Sequence, residues 1–218
     1  MKLQPFFITG IPRTRTAWLA NFFTTKNSFC WHDAMKGGWR AEHVHDKLMQ
    51  AKLAGNYYCG DADSGLLLVM ERMNEIFPQA RWLFVRTTPA DAARSYREYF
   101  TEGKEYPGVP AGTDLEEMME NIHEKYEAAL ASVPASRRLE VDKTDLDHPK
   151  VMESVWRWLV PGLSWDPLRY ELLNELAVNV LARKVKVAAL PNQLGAGKPP
   201  APAGWKACPT AEPLSGPI

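Results

Sequence analysis

The stretch from Pro5 to Leu19, PFFITGIPRTRTAWL, constrains the fold of this chain more than any other. Pro5-Phe6-Phe7-Ile8-Thr9 is a short apolar run of strand character, and it stops at Gly10. A compact loop of cations and hydroxyls follows. Ala17-Trp18-Leu19-Ala20-Asn21-Phe22-Phe23 then opens an amphipathic helix. Strand, tight loop and helix in that order make an anion cradle. Backbone N–H groups of the loop and of the first helical turn converge, and the helix dipole adds a partial positive charge. The pattern predicts a phosphorylated ligand at the first loop.

The loop departs from the nucleotide-triphosphate signature G-x-x-x-x-G-K-S/T. Counted from Gly10, the second Gly falls on Arg15, the Lys on Thr16 and the hydroxyl residue on Ala17. The cation that reaches a γ-phosphate is replaced, and so is the hydroxyl that ligates Mg²⁺. Pro12, Arg13, Thr14 and Thr16 remain, and they suit a terminal phosphate or sulfate held without a metal. ATP hydrolysis and ordinary kinase chemistry are disfavoured on this ground.

Gly10-Ile11-Pro12-Arg13-Thr14-Arg15-Thr16-Ala17-Trp18-Leu19 resembles the 5′-phosphosulfate loop of the sulfotransferases that use 3′-phosphoadenosine 5′-phosphosulfate, PAPS. Pro12, Arg13, Thr14, Thr16, Trp18 and Leu19 match that pattern; Arg15 stands in place of a Gly and Ala17 in place of a hydroxyl residue. The resemblance implies that Gly10, Pro12, Arg13, Thr14, Arg15, Thr16, Ala17 and Trp18 line the cofactor. Arg does not readily take a backbone conformation reserved for Gly. A differently shaped loop is therefore expected, with an added cation toward the cofactor.

A second element is similar to the same family. Arg81-Trp82-Leu83-Phe84-Val85-Arg86 reads as a buried strand ending in a cation. Pro89 follows at a helix start, then Asp91, Ser95 and Tyr96, as in the family's 3′-phosphate segment. One extra Thr lies between Arg86 and Pro89. The resemblance implies that Arg86, at a strand's carboxyl end where open α/β sheets bind ligands, shares the 3′-phosphate with Ser95. Downstream, Leu139-Glu140-Val141-Asp142 reads as a late strand, and Asp145-Leu146-Asp147-His148-Pro149 resembles the segment after it. The family's C-terminal cofactor loop has no counterpart around Arg183, Lys184, Gly195 and Gly197.

Alternating strand and helix signals continue along the chain. They predict strands at 28–31, 57–60, 81–86 and 138–141, and helices at 40–54, 66–77, 89–101, 114–131 and 149–159, with a further one from Asp166-Pro167. The expected architecture is a single-domain, three-layer α/β P-loop-like fold, its parallel central sheet of about four to five strands flanked by helices. It spans 1–190. From 191 to 218 Pro, Gly and Ala dominate, which predicts an extended or disordered tail. The same tail is the candidate for contacts in a homo-oligomer.

Lys plus Arg and Asp plus Glu both number 26, and no basic stripe interleaves with aromatics, so nucleic acid is not the expected partner. Cys30, Cys59 and Cys208 are scattered and odd in number, which fits a reducing compartment. No signal peptide or membrane-length apolar run is present in these residues, and a cytoplasmic location is expected.

Sulfuryl transfer needs a base for the acceptor's proton and cations for the leaving bisphosphate. Trp31-His32-Asp33 follows an early strand on the edge that faces the first loop. His32 is the favoured base, with Asp33 orienting or replacing it. A loop histidine with local hydrogen bonds is the plainer alternative. Asp63 is the rival base, and Asp61 a candidate acceptor contact. Capping of the next helix by Asp63 or Ser64 competes with that reading. His43 and His45 cannot share a helix face, so they read as solvated and not as a metal site.

The resemblance implies a metal-free, in-line PAPS-dependent sulfotransferase acting on a small-molecule or glycan-like acceptor, with Arg13 among its catalytic residues. Two alternatives stay open. One is a degenerate P-loop phosphotransferase or hydrolase; the other is a non-catalytic nucleotide-binding protein.

Overall fold

A computed structural model of the chain describes residues 2–35, 40–101, 109 and 112–175, with only the backbone for 99–101. The first apolar run forms β1 (Gln4–Gly10), and the segment after the loop forms α1 (Thr16–Phe22). Then come β2 (Ser28–His32), α2 (Ala41–Leu53), β3 (Tyr58–Ala62), α3 (Met70–Ile76) and β4 (Arg81–Arg86). The chain continues through α4 (Pro89–Thr101), α5 (Leu115–Ser132), β5 (Arg138–Asp142), α6 (Pro149–Leu159) and α7 (Pro167–Glu175). The strands make one parallel sheet in the order β2-β3-β1-β4-β5.

β1 is the middle strand, buried on both faces, and this is why it reads as a continuous apolar run. Its side chains alternate between two cores. Phe7 joins Trp82 and Phe84 of β4 against α2, α3, α4 and α5. Phe6 and Ile8 join Leu83 and Val85 against α1, α6 and α7. The two apolar clusters give the three layers that the strand–helix alternation predicts. Phe6, Phe7, Ile8, Trp82 and Phe84 are fully buried, each worth roughly 1.5–3 kcal/mol relative to exposure. The sheet is therefore a rigid base for its loops.

Several boundaries differ from expectation. β2 extends through His32, and β3 through Ala62, because both strands pair in register along their whole length, Trp31 with Asp61 and His32 with Ala62. Asp61 is thus a strand residue and not a loop residue. The helix predicted over 66–77 is divided into a 3-10 turn, Ser64–Leu68, and α3. The Asp63 carboxylate accepts the Gly65 N–H at 2.7 Å and starts that turn tightly. The β-branched Val69 then sits at φ −124°, outside helical geometry. The predicted tail at 191–218, Cys208, and the last turns expected of the final helix lie outside the described residues.

Candidate functional site

The loop between β1 and α1 begins at a contact that only Gly allows. A Cβ on Gly10 would lie 2.4 Å from the Val85 carbonyl oxygen of the neighbouring strand and 2.7 Å from Thr14 Oγ1. The loop then coils around Thr14, which is fully buried and donates its hydroxyl to the Ile11 carbonyl at 2.9 Å. Thr14 is therefore an internal staple, and its hydroxyl proton is not directed at a ligand as the motif implied. Arg13 and Arg15, on either side of it, adopt left-handed backbone with φ of 76° and 61°. Paired inversions of this kind turn successive N–H groups into one concavity.

Arg15 corrects an expectation. It takes the left-handed conformation in spite of its side chain, at a cost of about 1–2 kcal/mol. Its guanidinium offsets that cost away from the loop mouth. It lies 4.5 Å above the Trp18 ring, donates to Asn174 Oδ1 at 3.0 Å, and pairs with Asp147. Arg15 thus ties the loop to the segment before α6 and to α7. Trp18 is 3% exposed and donates its indole N–H to the Leu173 carbonyl. It is a core residue, and so is Ala17.

On the β4 side of the loop, Arg13 Nε donates to Ser95 Oγ at 3.3 Å. Eighty-two positions separate the two residues, and α4 brings them together. Arg86 has a different partner from the one implied by resemblance. Parallel register sets it directly opposite Asp142, and it donates to both carboxylate oxygens at 2.8 and 3.2 Å. Glu140 lies 3.9 Å away and accepts from the Tyr126 hydroxyl. The hydrogen bonds to Asp142 and the nearby Glu140 hold Arg86 still more firmly protonated, and the Arg86 hydrogen bonds pull Asp142 below its ordinary range. Ser95 and Arg86 are therefore not joined in one contact. The extra Thr of the sequence is part of a cap: Thr88 Oγ1 accepts the Asp91 N–H and donates to its carboxylate, starting α4.

Sequence reading passed over Lys143, the residue after β5. It is half-buried and lines a cleft of about 310 Å³ with Thr87, Thr88, Asp91, His123 and the Arg86–Asp142 pair. Burial lowers its basicity, and Arg13, Arg15 and Arg94 lower it further against the opposing effect of Asp91. The only sequence signal was its place after a strand end.

On the β3 side the loop meets a histidine and carboxylates. His32 Nε2 lies 3.4 Å from Thr16 Oγ1, and its Nδ1 lies 3.2 Å from Asp33 Oδ2. An Nδ1–H donated to Asp33 leaves the Nε2 lone pair toward the loop. Asp33 reaches this position from left-handed backbone, φ 57°. The next turn is anchored by Asp61, whose Oδ1 accepts the Ala34 N–H at 3.2 Å. Asp61 is fully buried, and among the described residues its other oxygen has no hydrogen-bond partner, so it is not exposed to an acceptor as expected. Burial pushes its carboxyl well above the ordinary range, and Asp63 pushes it the same way. Asp63 is 6% exposed and caps the turn at Ser64. Its geometry is that of the capping alternative.

Among the described residues no group of three or more His, Cys, Asp and Glu is placed to hold a metal ion. No helix among them is long and apolar enough to cross a membrane. Cys30 and Cys59 are buried.

No protein-family model matches the chain, and no curated protein does. Solved structures do match. The sulfotransferase domain from the curacin biosynthetic pathway is 11% identical with a TM-score of 0.55, over 89% of this chain and 86% of that one. The sulfotransferase domain of the Synechococcus PCC 7002 olefin synthase is 15% identical with a TM-score of 0.53, over 77% of this chain and 76% of that one. A mouse sulfotransferase, SULT7A1, complexed with PAP, is 12% identical with a TM-score of 0.54, over 82% and 68%. The chain has a sulfotransferase-like fold.

Proposed function

We propose that this protein is a PAPS-dependent sulfotransferase that sulfates a hydroxyl or amine of a small-molecule or glycan-like acceptor. The contact between Arg13 and Ser95 carries the reading. It unites the two segments that resemble phosphate-binding motifs, although they are far apart in sequence. The similar mouse structure is described with PAP bound, which supports a cofactor of this type. The residues present fit such a group. A coiled loop of backbone N–H groups lies beside Arg13 and Lys143, and Ala17 stands where a metal-ligating hydroxyl would be. PAPS supplies a sulfuryl group on a bisphosphate leaving group.

The chain's residues divide the work. The loop Gly10–Thr16 and Arg13 bind and orient phosphate, and a positioned cation stabilises charge that develops on the leaving oxygen. His32, oriented by Asp33, takes the acceptor proton at Nε2. Thr16 lies between the two functions, next to His32 Nε2.

Calorimetry with adenosine 3′,5′-bisphosphate and with ATP, each with and without Mg²⁺, tests the reading. Metal-independent binding of the bisphosphate, followed by transfer of labelled sulfate from PAPS to an acceptor panel, supports it. Tight Mg²⁺-dependent ATP binding with no response to the bisphosphate would mean a phosphotransferase or hydrolase. Bisphosphate binding with no turnover on any acceptor would mean a binding protein.

A further inference from the structure

α7 lies along α1 and holds it at three points. At the far end of α1, the Arg169 guanidinium donates to the Asn21, Phe22 and Thr24 carbonyls. In the middle, the Trp18 indole N–H donates to the Leu173 carbonyl at 3.1 Å, and the Trp18 ring meets Tyr170 edge-on. At the near end Arg15, the residue before α1, donates to Asn174 Oδ1 at 3.0 Å. Arg169 comes early in α7 and Asn174 late, so the two helices run in opposite directions. α1 has only seven residues, and so short a helix does not persist without tertiary packing. α7 is its splint.

The last of these contacts bears on the loop itself. Arg15 takes left-handed backbone, φ 61°, and its side chain makes no capping bond to α1. The compensation comes from far along the chain, since Asn174 is 159 positions away. The guanidinium lies 4.5 Å above the Trp18 ring while it reaches Asn174. Asp147 adds an ion pair, but its side chain is 69% exposed. Solvent screens that partner, so Asn174 and Trp18 carry the hold.

We propose that Arg15 is a positioning residue that couples α7 to the first loop. Its side chain, held by Asn174 over Trp18, keeps the loop in the shape that gathers its N–H groups. Docking of α7 and occupancy of the loop therefore favour each other, and by linkage the effect runs both ways. The proposal takes from the sulfotransferase reading only the kind of ligand that fills the loop; the coupling rests on the contacts themselves. The resemblance sets a Gly at this position, and Gly reaches the same backbone with no side chain to hold it. Arg15 exchanges that freedom for a dependence on α7.

The test is a double-mutant cycle between Arg15 and Asn174 on the full chain. It is read by calorimetry with adenosine 3′,5′-bisphosphate and inorganic pyrophosphate, and by amide hydrogen exchange of peptides covering 11–23 and 167–175. Thermal melts establish that each variant is folded. Arg15→Ala keeps the backbone demand and loses the hold. It should weaken both ligands by roughly 5–30-fold, the cost of left-handed backbone, and speed exchange in both peptides. Arg15→Gly should recover most of that loss, although it too lacks the cation. Asn174→Ala should weaken the ligands by roughly 3–10-fold, and should be silent in the Arg15→Gly background. Ligand added to wild type should slow exchange over 167–175. Arg15→Gly as weak as Arg15→Ala would make the guanidinium a direct ligand contact and overturn the proposal. An Asn174→Ala cost that is equal in both backgrounds overturns it as well. Pyrophosphate binding without bisphosphate binding removes the cofactor reading, and the same cycle then decides the coupling. If wild type binds neither, exchange over 11–23 decides it: Asn174→Ala should speed exchange in wild type and not in Arg15→Gly, and equal changes overturn the coupling. If Arg15→Ala does not fold, the cycle between Arg15→Gly and Asn174→Ala decides alone.

Discussion

The two wings of the sheet edge on either side of β1 are chemically opposite. Toward β3 and β2, the strand ends and the residues just after them carry His32, Asp33, Asp61 and Asp63. Toward β4 and β5 they carry Arg86, Lys143 and the Arg94 of α4, with Arg13 leaning that way onto Ser95. The first loop sits between them because β1 is the middle strand. A group bound there has His32 on one side and positive charge on the other. On the proposed reading the transfer uses both, and the strand order sets them apart. Within each wing, Asp61 and Arg86 hold turns and strands together, while His32 meets the first loop and Lys143 lines the cleft beside Arg86.

The comparison breaks most visibly if the wings do not differ in kind. On the proton-accepting wing, His32→Ala should lower sulfate transfer by about 10²–10⁴-fold and change bisphosphate affinity little. Steady-state rates and calorimetry on the same preparation check this. Asp63→Asn, measured in parallel, should affect the rate much less, because that carboxylate caps Gly65; the reverse ranking would move the base to β3.

On the cationic wing, Arg13→Ala should weaken the bisphosphate by roughly 10–100-fold, the worth of a charge-assisted contact. Ser95→Ala should cost no more than about 10-fold, since it removes one neutral partner. Equal effects on rate and binding for Arg13 and His32 variants would erase the distinction between the wings.

A pH series sharpens the comparison. Lys143 has its basicity lowered by burial and by Arg13, Arg15 and Arg94, with Asp91 opposing. Arg86 and Asp142 face the same cleft as a neutralised pair, and His123 lines it from α5. An anion in this cleft is attracted by the ammonium and not by the neutral amine. Affinity should therefore fall as pH rises through the lowered pKa of Lys143, and Lys143→Arg should remove that alkaline decline.

The smallest effect concerns stability. Asp61 is raised above the solvated value of 3.8, so the folded state holds its proton where the unfolded chain has released it. The stabilisation linked to Asp61 is complete below 3.8 and is lost as pH rises through the folded value. Asp61→Asn retains an oxygen for the Ala34 N–H and has no proton to lose. Its melting temperature should exceed that of wild type increasingly as pH is raised toward neutral, by on the order of 2–4 °C per kcal/mol. A constant difference across pH would show that Asp61 stays charged in the folded protein.

Much of the fold was legible because strands buried on both faces leave an unmistakable apolar run. β1 and β4 are the clearest cases, and they lie next to each other at the centre of the sheet. The 114–131 helix was equally plain, since Asp114 caps it through the Glu116 and Glu117 N–H groups. Local pattern was weaker where the chain makes its tightest contacts. The Arg15 side chain looked incompatible with the loop, and only its hold on Trp18, Asn174 and Asp147 explains why the left-handed backbone is retained.

By itself the sequence determined that a strand, a tight loop and a helix follow one another in a parallel α/β domain. It also determined that His32 and Arg86 lie at or beside strand ends. These follow from local periodicity, turn chemistry and the spacing of loop residues, which act over a few positions. The tertiary structure alone decided who meets whom. Arg86 finds Asp142, Ser95 finds Arg13, and Lys143 lines the cleft beside Arg86, because parallel register and strand order bring together residues from tens of positions apart. Charge–charge energies depend on those distances in space, and no pattern along the chain encodes them.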